Sequence, residues 1–201
     1  MNRHPAVLAR MAGTLQGVSG GRLTLGIGIG GASREHGAYG IPFPDVDERV
    51  ARLEEAIAVI RALWTGGPVS FSGRYYSLDE AHAHPAAEPA PRILVGGGSP
   101  RGVRIAARVG DGWAAEMDRF EELLPAYRDA LEAEGRSPED AWIALGFGGG
   151  RTAKDFLRDS EWVHAPRDAW ARVAELGVDE VAVTARTEND VDALVGAVER
   201  W

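Results

Sequence analysis

From Pro5 to Val18 the apolar residues Val7, Leu8, Met11 and Leu15 repeat at helical spacing, with Pro5 at a first-turn position. Gly17, Gly20 and Gly21 are expected to end that helix. The run Arg22–Ile29 (RLTLGIGI) is short, apolar and partly β-branched, and it predicts a buried strand. Gly30 to Pro44, rich in Gly and Pro, predicts a loop. The clearest periodicity follows from Asp47 to Trp64. There Val50, Leu53, Ile57, Ile60, Leu63 and Trp64 take one helical face, and Arg49, Arg52, Glu55 and Arg61 the other. Val69–Phe71 and Tyr75–Tyr76, around Ser72-Gly73-Arg74, predict a small hairpin. A Pro/Ala-rich linker runs from His84 to Pro91.

From there the pattern alternates. Strands are expected at Arg92–Val95, Gly112–Ala115, Trp142–Phe147 and Glu180–Thr184. Helices are expected at Pro100–Val109, Arg119–Glu134, from beyond Phe147 to about Leu176, and at Glu188–Arg200. One helix followed by five β-α units predicts a parallel sheet with helices packed on it. An open doubly wound sheet and a (β/α)₈ barrel compete. About 180 residues serve five units, and three more would need roughly another 100. The chain is therefore an open sheet or the last five-eighths of a barrel. Raw edges on such a sheet must be covered, so a homo-oligomer is expected.

Composition narrows the partners. The 201 residues carry a formal charge of −8 and no cysteine, which excludes a disulfide framework and a Cys-based zinc site. The acidic balance argues against a general nucleic-acid binder. The apolar runs are broken within a dozen residues by Arg, Glu or Gly, so no membrane span is expected. The opening residues lack the apolar core of a signal peptide, and the cytoplasm is the expected location.

Two glycine clusters carry candidate chemistry. Gly26, Gly28 and Gly31 formally satisfy G-x-G-x-x-G, but Gly37, Gly40, Pro42 and Pro44 forbid the long helix a dinucleotide site needs. The plainer reading is a strand whose glycines admit something flat against the backbone. Gly96-Gly97-Gly98-Ser99-Pro100 leaves a strand and opens a helix. Such a turn is suited to a phosphate, and it is equally a plain turn with a Ser cap. His82 and His84 have no third ligand nearby, so no metal is expected. His36, in the loop after the first strand, is a candidate for proton transfer or a surface residue. Asp111 is expected to close a turn and Trp113 to enter the core.

Five ordered segments resemble the luciferase-like monooxygenase superfamily, barrel enzymes that use flavin or the deazaflavin F420. They are RHPAVLARMAGTLQGVSGGRLTLGIGIGG, REHGAYGIPF, ERVARLEEAIAVIRALWTGGPVSFSGRYYSL, PRILVGGGSPRGVRIAARVGDGW and GVDEVAVTART. The resemblance implies a single luciferase-like domain over residues 1–201, a (β/α)₈ barrel lacking its first three strands, with a hairpin insertion near 69–76. It implies a phosphate-binding turn at Gly96, Gly97, Gly98 and Ser99, and a ring-facing strand at Gly26, Gly28 and Gly30. The implied activity is F420-dependent, alternatively FMN-dependent, hydride transfer or monooxygenation on a small organic substrate. His36 would be the proton donor, and Arg34 or Arg101 would meet the anionic tail of F420. Two departures stand out. Gly31 occupies a position that is acidic in the sugar-phosphate dehydrogenase branch, which disfavours that substrate, and Gln16 replaces an Asp common in the first helix. The alternative reading is a flavin- or F420-binding protein without turnover, or a barrel fragment that needs a partner.

Overall fold

The computed structural model describes residues 3–147, 160–199 and 201. The chain divides into two compact units, Met1–Gly96 with Val109–Asp111, and Gly97–Arg108 with Gly112–Trp201.

The first unit begins with helix α1 (Pro5–Ser19), closed by Gly20 in the left-handed region at φ 65°. Gly17 lies inside the helix, and Gly20 with Gly21, whose amide donates to the Gln16 carbonyl at 2.9 Å, performs the stop. The residues α1 buries are not its large ones. Ala9, Ala12, Gly13 and Gln16 are buried, and α1 packs against α3 (Val46–Leu63) on that side. Helix α3 buries Val50, Leu53, Ile57, Ile60 and Leu63, as its periodicity predicts. Trp64, also buried, donates its indole N–H to the Ala9 carbonyl at 3.0 Å. Gln16 ties α1 to two later segments, donating to the Pro89 carbonyl at 2.6 Å and accepting from the Leu23 amide at 2.9 Å.

Strand β1 is shorter than its apolar run, Thr24–Ile27, and only half-buried, with Gly26 exposed. The expected buried strand is thus corrected: two glycines in the run remove the side chains that burial would cover. The Gly30–Pro44 loop holds a short helix, α2 (Ser33–Ala38), between its glycines. Strands β2 (Val69–Ser72) and β3 (Ser77–Ala81) form the antiparallel hairpin. Its second strand starts after Tyr76, not at Tyr75, because Glu55 takes over the turn. The Glu55 carboxylate accepts the backbone N–H groups of Arg74, Tyr75 and Tyr76 at 3.1, 2.8 and 2.7 Å. Strand β4 (Arg92–Gly96) pairs in parallel with β1, Gly26 opposite Leu94 and Ile27 opposite Val95.

The second unit runs α4 (Pro100–Val109), β5 (Gly112–Glu116), a 3₁₀ turn at Met117–Arg119 and α5 (Phe120–Ala133). It continues with β6 (Trp142–Phe147), α6 (Glu161–His164), α7 (Pro166–Ala174), β7 (Glu180–Val183) and α8 (Glu188–Val198). The helical stretch expected just after Phe147 falls partly on residues 148–159, outside the described residues. Strands β5, β6 and β7 are parallel, with Trp113 opposite Ile143 and Leu145 opposite Val181. Trp113, Phe120, Leu123, Tyr127, Leu131 and Leu145 form the core, and Trp113 stacks obliquely on Tyr127 at 5.1 Å.

One device recurs at the strand beginnings. Asp111 accepts the Ile93 amide at 2.8 Å and returns its own amide to the Ile93 carbonyl at 2.8 Å. Asp179 does the same to Ile143, at 2.8 and 3.0 Å. Each Asp ties the start of its strand to the strand before it, so Asp111 bridges back to Ile93 where a turn closure was expected, and Arg61 adds an ion pair to Asp111 at 2.7 Å.

Candidate functional site

Glycine and proline chemistry positions the Gly97–Ser99 turn of the second unit. Pro100 starts α4, and Ser99 caps it: the Ser99 Oγ accepts the Gly102 amide at 3.1 Å, and its carbonyl accepts the Val103 amide at 3.0 Å. The cap uses an oxygen lone pair, so the hydroxyl proton remains able to donate. The two readings of Ser99 are therefore compatible.

The glycines of this turn have different jobs. A Cβ on Gly97 would sit 2.6 Å from the Gly102 carbonyl carbon and 3.0 Å from its Cα. Gly97 and Gly102 are thus in backbone contact, which fixes how closely the turn lies on α4. Gly98 is different: a Cβ there would meet only the Glu116 Oε2, at 3.9 Å. Gly98 therefore presents open backbone. Trp113 donates its indole N–H to the Gly97 carbonyl at 2.8 Å, and Arg119 donates to the Gly98 carbonyl at 2.9 Å. Arg119 also pairs with Glu122 at 2.6 Å, which raises the guanidinium pKa and lowers that of the carboxyl. The turn is held from its carbonyl side by a buried indole and a cation. In the sequence Arg119 marks only a helix start; no local pattern signals a contact 21 residues away.

In the first unit, Cβ positions on Gly26 and Gly28 would meet nothing within 4 Å. A Cβ on Gly96 would lie 3.9 Å from the Ile27 carbonyl, so the ends of β1 and β4 present a small, side-chain-free backbone surface. Gly30 takes φ 78°, a conformation that favours glycine. The loop after it is braced by Arg49, whose guanidinium donates to the carbonyls of Pro44 and Gly30 and lies 4.1 Å above the Phe43 ring.

His36 is 7% exposed, so it is not a surface residue. Its Nδ1 lies 2.9 Å from the Ala32 carbonyl, which can only accept, so Nδ1 carries the hydrogen and Nε2 is the remaining nitrogen. The ring meets Phe43 edge-on at 4.8 Å, and its Cε1 is 3.8 Å from a Cβ built on Gly30. His36 and Gly30 are thus brought together, with His36 anchoring the loop. His82 and His84 stack on each other at 5.5 Å, and no three His, Asp or Glu side chains converge among the described residues.

The luciferase-like monooxygenase family model matches residues 1–148, and the chain belongs to that family. An F420-dependent glucose-6-phosphate dehydrogenase from Kineococcus radiotolerans is 42% identical over 139 residues, covering 67% of this chain and 41% of that protein. Its counterpart from Intrasporangium calvum is 41% identical, covering 68% and 43%. The chain thus spans about two fifths of the length of these relatives. Among solved structures, an F420-dependent secondary alcohol dehydrogenase in complex with an F420-acetone adduct superposes with a TM-score of 0.68. It covers 98% of this chain and 68% of its own, at 19% identity. The monooxygenase RslO1 from Streptomyces bottropensis gives 0.61 at 27% identity, covering 98% and 55%. The fold is therefore that of the luciferase-like α/β proteins. No helix among the described residues is long and apolar enough to cross a membrane.

Proposed function

We propose that this chain serves an oxidoreductase that takes F420, or alternatively FMN, and acts on a small organic molecule. The observation that carries the reading is the Gly97–Ser99 turn: open backbone at Gly98, a hydroxyl proton at Ser99 and the N-terminus of a ten-residue helix. These features fit the phosphate group that both cofactors carry. When bound, either cofactor would supply the hydride chemistry. In the first unit taken alone, Gly26, Gly28, Gly30 and Gly96 form the backbone we assign to a flat ring. His36 Nε2 is the group we assign to moving a proton, with Nδ1 fixed by Ala32 so that the ring cannot turn freely.

F420 takes precedence because the relatives named above are F420-dependent. Hexose phosphate is the substrate in the names of those relatives, but Gly31 stands where that branch is acidic, so a neutral small alcohol or carbonyl compound is the preferred class. These five β-α units would form part of a (β/α)₈-type barrel in a cytoplasmic enzyme.

Fluorescence titration of the chain with F420 and, separately, with FMN tests the reading. Saturable binding of F420 is expected, with Ser99→Ala weakening it roughly 10-fold or more, the loss of one hydrogen bond to a charged group. Absence of saturable binding to both cofactors would overturn it. Unchanged affinity in Ser99→Ala with a lowered Tm would leave the serine as a cap alone.

A further inference from the structure

The open side of the Gly97–Ser99 turn carries a charge. A Cβ on Gly98 would meet one atom within 4 Å, the Glu116 Oε2 at 3.9 Å. Glu116 ends β5 and is exposed, and no hydrogen bond or ion pair among the described residues engages its carboxylate. Arg119 does not offset it. One guanidinium nitrogen donates to the Gly98 carbonyl at 2.9 Å, and two others are taken by Glu122 at 3.1 and 2.6 Å, so that pair is neutral. Asp118, in the same 3₁₀ turn, adds a further carboxylate.

A phosphate held at the open backbone of Gly98 would lie within a few ångströms of that carboxylate. What then separates one phosphate group from another is charge. A monoester carries about −1.5 to −2 near pH 7, because its second proton leaves near pH 6. A diester has no second proton to lose and keeps a single charge. At low salt, one further unit of charge roughly 5–6 Å from a carboxylate weakens binding about threefold even at the dielectric constant of water, and more in the lower dielectric of a protein surface. FMN carries its phosphate as a monoester and F420 as a diester.

We propose that Glu116 is a specificity residue of this turn: its carboxylate weights binding towards a singly charged phosphate diester and against a doubly charged monoester, and so shifts the balance from FMN towards F420. The inference rests on the Gly97–Ser99 turn being the cofactor phosphate site. Glu116 acts by charge alone and takes no part in hydride transfer. Arg101, the cation in the first turn of α4, is common to every protein compared below and cancels from the comparison.

Fluorescence titration in low-salt buffer with FMN and with riboflavin 5′-methyl phosphate tests this. The two ligands share ring and ribityl chain and differ only in the charge of the phosphate, which keeps the glutamyl tail of F420 out of the comparison. Glu116→Gln keeps the shape of the side chain and removes its charge. It should tighten FMN about threefold or more beyond any change in the methyl ester. Glu116→Asp keeps the charge and should hold most of the wild-type ratio. Gly98→Ala should weaken both ligands alike. Glu116 is exposed, so the fold should survive, as melting followed by circular dichroism will show, and Glu116→Ala replaces a Gln variant that fails to fold. If Gly98→Ala weakens both ligands but Glu116→Gln moves them by the same factor, the turn holds the phosphate and the role of Glu116 is refuted. If neither ligand binds saturably, or Gly98→Ala leaves both affinities unchanged, the assignment of the turn falls and the proposal falls with it.

Discussion

Adjacent glycines of the Gly97-Gly98 pair should respond in opposite ways to the same methyl group. In Gly97→Ala the new Cβ lands 2.6 Å from the Gly102 carbonyl carbon and 2.9 Å from its oxygen. Non-bonded carbons prefer about 3.5–4.0 Å, so the turn and the first turn of the helix must separate by roughly 1 Å. Backbone on both sides cannot swing away as a side chain could. Overpacking of this kind costs about 1–3 kcal/mol. For a chain of this size that lowers Tm by roughly 2–4 °C per kcal/mol. In Gly98→Ala the methyl meets only Glu116 Oε2 at 3.9 Å, an ordinary contact, so stability should change by less than about 0.5 kcal/mol. The same methyl, however, stands on the open backbone assigned to the phosphate, and F420 affinity should fall about tenfold. Differential scanning fluorimetry and F420 fluorescence titration on both variants read the two effects separately. A Gly97→Ala protein with unchanged Tm would refute the packing argument. A Gly98→Ala protein with wild-type affinity would place the phosphate elsewhere.

Three further outcomes are expected. Glu55→Gln removes the carboxylate that accepts three hairpin amides, and urea unfolding should show a loss of about 2–3 kcal/mol; a change below about 0.5 kcal/mol would mean the turn holds itself. Tyr127→Phe should be neutral or stabilising by about 1 kcal/mol, since the phenol oxygen is buried and finds no hydrogen-bond partner among the described residues. Burial pushes the Tyr127 pKa up to about 12, so the unfolded chain ionises first and stability should fall as pH rises above about 10; Tyr127→Phe should flatten that decline, as denaturant midpoints measured against pH will show. Asp179→Asn should cost about 1–3 kcal/mol, through its bond to the Ile143 amide, and should leave F420 affinity unchanged.

Periodicity and local chemistry determined much of this protein. Helix α4 was legible from residue to residue, Pro100 to Val109, because a proline at its start and the glycines before it are local signals. The buried face of α3 was equally plain, since six large apolar residues at helical spacing leave one way to pack. On α1 the same logic gave the helix but not its buried side. The inward side of α1 lies against α3 and, at Gly13, against the Pro85 carbonyl and Ala87, so the small Ala9, Ala12 and Gly13 turned inward and Met11 and Leu15 turned out. The candidate site divides in the same way. That a glycine-rich turn opens a helix is local, and the sequence shows it. That Gly97 is a backbone contact while Gly98 faces open space is settled by Gly102, and that the turn is braced by Trp113 and Arg119 depends on residues 16 and 21 positions away. His36 reads as a loop residue, yet the Ala32 carbonyl and the Phe43 ring bury it. Residue type and spacing specify which backbone conformations are affordable; which atoms then meet depends on long-range packing, to which neither type nor spacing refers.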